Sequence, residues 1–257
     1  MLNATTDVGC GALTRTAHQL EYWDITAWEE PVNPEAESFD RTVVTDRTIA
    51  VLDGAVNYAH LEGEARTRDA LEVTVQALRE NPMPKAFAVA TSKIHRPDEP
   101  YRHRSGLVAA AAVELGFDEI TGYRAADCEV WANTGGEWVN LFPHHMLTDE
   151  GQAVMAAGPA QDGAHAWWKH QEIELDDLTL WRYPTLGLDR AAKFVSASLY
   201  AFEVDEIVIA SDGAELNAAR MTDLEPWVEE GIHARKPQPP HRFPHGDITV
   251  IRAKRRF

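Results

Sequence analysis

At 257 residues and 44% apolar, the chain can bury a sizeable core, and a single domain over 1–257 is the simplest division. Asp and Glu outnumber Lys and Arg by 41 to 24, a formal net charge of −17, which repels nucleic acid and anionic membranes and excludes both as general partners. Cys10 and Cys128 make neither a disulfide framework nor a zinc site, the N-terminus has no basic start or apolar h-region, and no apolar stretch approaches the ~20 residues of a membrane span; a cytoplasmic protein is expected.

In chain order, loose alternation over 20–28 predicts a first, edge-type strand, and the Pro/Asn/Glu run 31–37 a loop. Segments 41–45 and 48–52, separated by Asp46-Arg47, predict a tight hairpin. From 60 to 79 the apolar positions Leu61, Ala65, Ala70, Leu71, Val75 and Leu78 recur at helical spacing until Asn81-Pro82 stops the helix. Residues 84–94 read as a second helix. The Ala-rich stretch 105–115 has no period that decides between helix and strand. Segments 120–125, 129–134 and 137–142 read as strands, the last two joined through Gly135-Gly136. Helices are expected over 147–157, 164–173, 189–201 and 223–230, and strands over 206–210 and 247–253. A Pro/His loop, 237–245, precedes the last strand. Hairpins interrupted by helix pairs indicate a layered α+β domain.

Two stretches organise the rest: Thr48-Ile49-Ala50-Val51-Leu52-Asp53-Gly54 and Glu206-Ile207-Val208-Ile209-Ala210-Ser211-Asp212-Gly213. Each is a nearly unbroken apolar run, as in a strand buried on both faces, closed by Asp-Gly. Asp53 and Asp212 thus sit where strands leave the core, and two such carboxylates can converge on a divalent cation that takes hard oxygen ligands. Asp-Gly is also a common turn dipeptide, the plainer reading of either instance alone.

Further segments occur in a fixed order around these two: Phe39-Asp40-Arg41, Ala125-Ala126-Asp127-Cys128-Glu129-Val130 and Gly246-Asp247-Ile248-Thr249-Val250-Ile251. The series resembles the metal-dependent protein phosphatases of the 2C type, over roughly residues 20 to 255. That resemblance implies an α-β-β-α sandwich, two antiparallel sheets flanked by helix pairs. It implies two Mg²⁺ or Mn²⁺ ions bridged by Asp53, with the Gly54 carbonyl on one and Asp212 on the other. It further implies attack of metal-activated water on a phosphomonoester, in a phosphorylated protein or a small phosphate ester, with Asp40 as a supporting catalytic acid. The chain departs from the pattern where the last metal ligand reads Gly246, leaving Asp247 as the available acid. It departs again at Phe39, where Glu is usual, and at Glu35, where many members place a phosphate-binding Arg. Asp127 matches a hairpin acid of structural or supporting role.

Lys93-Ile94-His95-Arg96 and Tyr101-Arg102-His103-Arg104 form a basic stretch in an acidic chain. Arg102 and Arg104 are candidates to receive the phosphate in place of the missing Arg; the plainer reading is a solvated loop. His144, His145, His241 and His245 read as loop histidines, with the last two closest to a site-forming strand. Trp167, Trp168 and Trp181 read as core or interface, and Asp176-Asp177 as an exposed connector. Two further readings stand beside the phosphatase. One is a phosphatase-like fold that binds a partner or phosphorylated ligand without turnover, motivated by the three departures. The other is an unrelated hydrolase on the same layered sandwich.

Overall fold

The computed structural model describes residues 4–6, 13–31, 38–56, 62–98, 106–143, 184–214, 216–229 and 247–256. The strands are β1 (Ala4–Thr6), β2 (Thr14–Gln19), β3 (Trp23–Glu30), β4 (Asp40–Val44), β5 (Thr48–Ala55), β6 (Leu107–Leu115), β7 (Glu119–Ala125), β8 (Glu129–Thr134), β9 (Glu137–Asn140), β10 (Val195–Tyr200), β11 (Val204–Ala210) and β12 (Ile248–Arg255). The helices are α1 (Gly63–Glu80), α2 (Lys85–Ile94), α3 (Ala218–Thr222) and α4 (Leu224–Glu229). Among the described residues the strands form two antiparallel sheets, ordered β1-β2-β3-β12-β11-β8-β9 and β10-β7-β6-β5-β4.

Three apolar layers hold the stack together. Alternation along each strand sends one set of side chains between the sheets: Ile25 and Ala27 from β3, Ile49 and Val51 from β5, Ile209 from β11 and Ile251 from β12. The alternate set of β5 and β6, including Ala50, Leu52, Ala110 and Ala112, meets Leu71, Val75 and Leu78 of α1 and Phe87 of α2. The outer face of the other sheet carries Trp28, Val208 and Val250 against Met221, Leu224 and Val228 of α3 and α4. β5 is an unbroken apolar run because both of its faces are covered. Among the described residues no helix is long and apolar enough to cross a membrane.

Most expected elements are present, and three differ. The strand expected over 20–28 begins at Trp23, and it is not an edge, because β2 pairs with its other side. The undecided stretch 105–115 is the central strand β6; its alanines lie on both faces of a crowded sheet, where larger side chains would not fit. Residues 189–201, expected as helix, contain strand β10, whose pairing with β7 overrides a weak local preference. The short helix expected over 223–230 is α4, and α3, which was not expected, precedes it. The helices expected over 147–157 and 164–173 and the loop over 237–245 lie outside the described residues.

Candidate functional site

Strand periodicity brings the acids together. Ile49 and Val51 face the layer between the sheets, so Asp53 faces the same way where β5 leaves the core. β4 pairs with β5 so that Asp40 is directly opposite Asp53, which puts both carboxylates on one face. From the other sheet, Ile251 faces the same layer, and the alternation carries Thr249 and then Asp247 to the same end of the sandwich. Ile209 does likewise for Ser211, and Asp212 opens a 3₁₀ turn at the exposed rim. Asp127 and the buried Cys128 enter from the β7–β8 turn, where Ala126 holds a left-handed φ of 68°. Such backbone is uncommon for a residue with a Cβ and is a form of local strain found at functional sites.

A hydrogen-bond lattice fixes this end. Asp247 Oδ2 accepts from the Ser38 hydroxyl (2.8 Å) and the Phe39 N–H (2.7 Å). Ser38 Oγ accepts from the Asp40 N–H (2.9 Å). The Gly54 N–H donates to the Phe39 carbonyl (2.9 Å). Ser211 Oγ donates to the Asp247 carbonyl (3.2 Å) and accepts from the Thr249 N–H (3.1 Å). The first residues of β4 are thereby tied to the first residues of β12, and Asp40 is held in register with Asp53.

The acids are electrostatically crowded. Burial raises the Asp53 carboxyl well above the usual carboxylate range, and the charges of Asp40, Asp212 and Asp127 add to it; Asp212 is within hydrogen-bonding reach. Asp40, 2% exposed, is raised by burial and then by Asp247, while the hydroxyls of Ser211 and Thr249 pull the other way. Asp40 Oδ2 has no hydrogen-bond partner among the described residues. Burial and the charge of Asp212 push Asp127 up to about 7, with its own backbone and Arg124 acting in the opposite sense. Burial and these same four acids raise the Cys128 thiol, which keeps it protonated and inert as a nucleophile. Like charges crowded around the buried Asp40 and the half-buried Asp53 and Asp127 are costly unless protons or a cation neutralise them.

A serine/threonine phosphatase from S. agalactiae aligns with a TM-score of 0.57 at 14% identity, over 91% of this chain and 99% of its own. The chain has the fold of the 2C-type protein phosphatases. The catalytic domain of the serine/threonine phosphatase PstP, in complex with two manganese ions, aligns with a TM-score of 0.55 at 13% identity, over 91% and 98% of the two chains. RsbX, in complex with magnesium, aligns with a TM-score of 0.54 at 11% identity, over 94% and 99%. No protein-family model and no curated relative matches the sequence.

Within this 2C-type fold, Asp53, Asp40, Asp212 and Asp247 are brought to one end, and Gly54 follows Asp53 on β5. Arg102, Arg104, Glu35, Gly246, His144, His145, His241, His245, Trp167, Trp168, Trp181 and Asp176-Asp177 lie outside the described residues. Ser38, Ser211 and Thr249 went unread in the sequence. Ser211, beside Asp212, and Thr249, within the terminal segment, carry local signals; Ser38 carries none.

The donor set fits a hard divalent cation: all-oxygen, anionic, with an orphaned buried oxygen on Asp40 and mutual repulsion that a cation relieves. Among the described residues no group of three or more His, Cys, Asp or Glu is arranged as a ready-made cage.

Proposed function

We propose that the chain is a metal-dependent phosphatase that hydrolyses a phosphomonoester, in a phosphoserine- or phosphothreonine-bearing protein or a small phosphate ester. The observation that carries this is the convergence of Asp53 and Asp212, 159 residues apart, within hydrogen-bonding reach at the open end of a 2C-type sandwich. Asp53 and Asp212 would hold Mg²⁺ or Mn²⁺, with the Gly54 carbonyl as a neutral oxygen donor. When bound, such ions lower the pKa of water to near neutrality and offset charge on the phosphoryl oxygens.

The chain's own groups do the rest. Asp40, pressed toward its protonated form by burial, orients water and takes up a proton at Oδ2, the oxygen with no other described partner. Asp247 keeps Asp40 in place through Ser38 and Phe39. Arg102 and Arg104 are proposed to receive the substrate phosphate. Turnover of p-nitrophenyl phosphate with Mn²⁺ tests the reading. An Asp53→Asn variant is expected to lose at least about 100-fold in kcat/KM, on the scale of removing a principal electrostatic contact. Metal-independent turnover, or an unchanged rate in the variant, would defeat it.

A second reading has its own support. Phe39 stands where the family pattern has Glu, and one oxygen of Asp247 is engaged by Ser38 and Phe39. On that reading the fold binds a phosphorylated ligand without hydrolysing it. Calorimetric titration with Mn²⁺ separates the two, since the binding-only protein takes up one ion or none.

A further inference from the structure

We propose that β10 is a self-association edge, across which two copies of this chain pair their β10 strands antiparallel and join their smaller sheets into one. The proposal stands apart from the phosphatase reading, since β10 contributes nothing to the acidic end.

β10 closes the smaller sheet and pairs with β7 from Tyr200↔Glu119 to Val195↔Arg124. In an antiparallel ladder alternate residues turn their N–H and C=O to one neighbour and the rest to the other. Half of the β10 backbone groups therefore point away from β7, and no backbone hydrogen bond among the described residues takes them up. Exposed edges are ordinarily blunted by Lys, Pro, a bulge or a very short strand. This one has none of these: 195–202 reads Val-Ser-Ala-Ser-Leu-Tyr-Ala-Phe, uncharged in a chain of net charge −17, and its register with β7 is unbroken. Tyr200 and Phe202, 64% and 72% exposed, stack at 5.7 Å beside it.

The sequence of the edge selects a second copy as its occupant. Ala197 and Leu199 pack toward the layer between the sheets, while Ser196, Ser198 and Tyr200 are exposed on the opposite face. Residues directly opposed across a ladder share a face, so a two-fold axis must pass through a residue position. Centred on Ser198, the ladder sets Ser198 against itself, Ala197 against Leu199 and Ser196 against Tyr200, with no like charges opposed. The Thr121–Ser198 hydroxyl contact (3.0 Å) within the sheet already shows that hydroxyls pair on this face. Lys193 precedes the strand and Glu203 follows it. In that register antiparallel pairing sets Lys193, which also reaches Asp189 in its own chain (3.1 Å), toward Glu203 of the other copy at both ends, whereas parallel pairing would set like beside like. A six-residue edge buries less than the ~1,200 Å² of a standard interface, so the dimer is weak, in the micromolar range or above.

Sedimentation equilibrium of the full chain, from about 1 μM to 1 mM, tests this. The parent is expected to dimerise reversibly. Ser198→Lys places like charges together across the two-fold and raises the dissociation constant about tenfold or more. Ser196→Lys, opposite Tyr200 of the other copy and not its own counterpart, is expected to raise it less, and Ser198→Thr to shift it no more than about twofold. Far-UV circular dichroism and the melting midpoint confirm that the variants are folded, as their exposure leads one to expect. A parent that stays monomeric throughout, or a dimer indifferent to both lysines, overturns the proposal.

Discussion

Gly54 ties the stability of the fold to the geometry of its acidic end, and Gly54→Ala exposes that link. An added Cβ would lie 2.5 Å from Thr67 Cγ2 on α1, 2.7 Å from the Phe39 carbonyl oxygen and 3.0 Å from Leu71 Cδ1. Real contacts of this kind do not fall below 3.0 Å, so α1 must retreat by about half an ångström and the Phe39 carbonyl by somewhat less. Helix and strand are both packed, and overpacking of this kind costs about 1–3 kcal/mol. For a chain of this size that lowers the midpoint of thermal unfolding by about 2–10 °C. The Phe39 carbonyl accepts the Gly54 N–H, and Asp40 follows it, so activity should fall further than stability explains. Urea unfolding of the metal-free protein measures the first effect. Thr67→Ser supplies the control: it removes the nearest clashing methyl but keeps the hydroxyl that donates to the Gly63 carbonyl (2.9 Å). In a double-mutant cycle the serine should recover about 0.5 kcal/mol or more of the loss. An alanine variant as stable as the parent, or strictly additive effects, would refute the packing argument.

The acidic cluster sets a pH dependence that runs opposite to the usual carboxylate. Asp127 is raised to about 7, and Asp40 and Asp53 are also raised, so the folded metal-free protein keeps protons that the unfolded chain has already released. Stability is therefore expected to fall as pH rises from about 4 through about 7 on account of Asp127, and Asp127→Asn should flatten that slope in melts across the range. Saturating Mn²⁺ at pH 8 should restore the lost stability by binding the folded state alone, and a chelator should reverse it. Asp247→Ala, which strips an acceptor from both Ser38 and the Phe39 N–H, should cost about 1–3 kcal/mol in urea unfolding. Asp247→Asn keeps an acceptor oxygen and should cost well under half of that; if it also binds Mn²⁺ like the parent, the residue positions Asp40 and is not itself a ligand.

What could be read in advance follows the reach of each signal. Segments 48–55 and 206–210 were legible because covering a strand on both faces demands a continuous apolar run, and the Asp-Gly that ends each marks where it leaves the core. Helix α1 was legible because its apolar residues repeat with the period of its one buried face. β6 was ambiguous because alanine favours helix locally yet is what a crowded central strand requires. β10 was misread because an edge strand buries too little to leave a pattern, and its pairing with β7 lies some 70 residues upstream.

The sequence by itself determined which carboxylates end which strands, since burial and turn chemistry are written within a few residues of Asp53 and Asp212. Only the tertiary structure decided how those acids meet. It set Asp40 against Asp53 through strand register, tied Asp247 to Ser38 across 209 residues, and gathered charges whose repulsion no local segment could announce. The physical reason is range: alternation and capping act between neighbours in the chain, whereas register, desolvation and Coulomb repulsion act between neighbours in space.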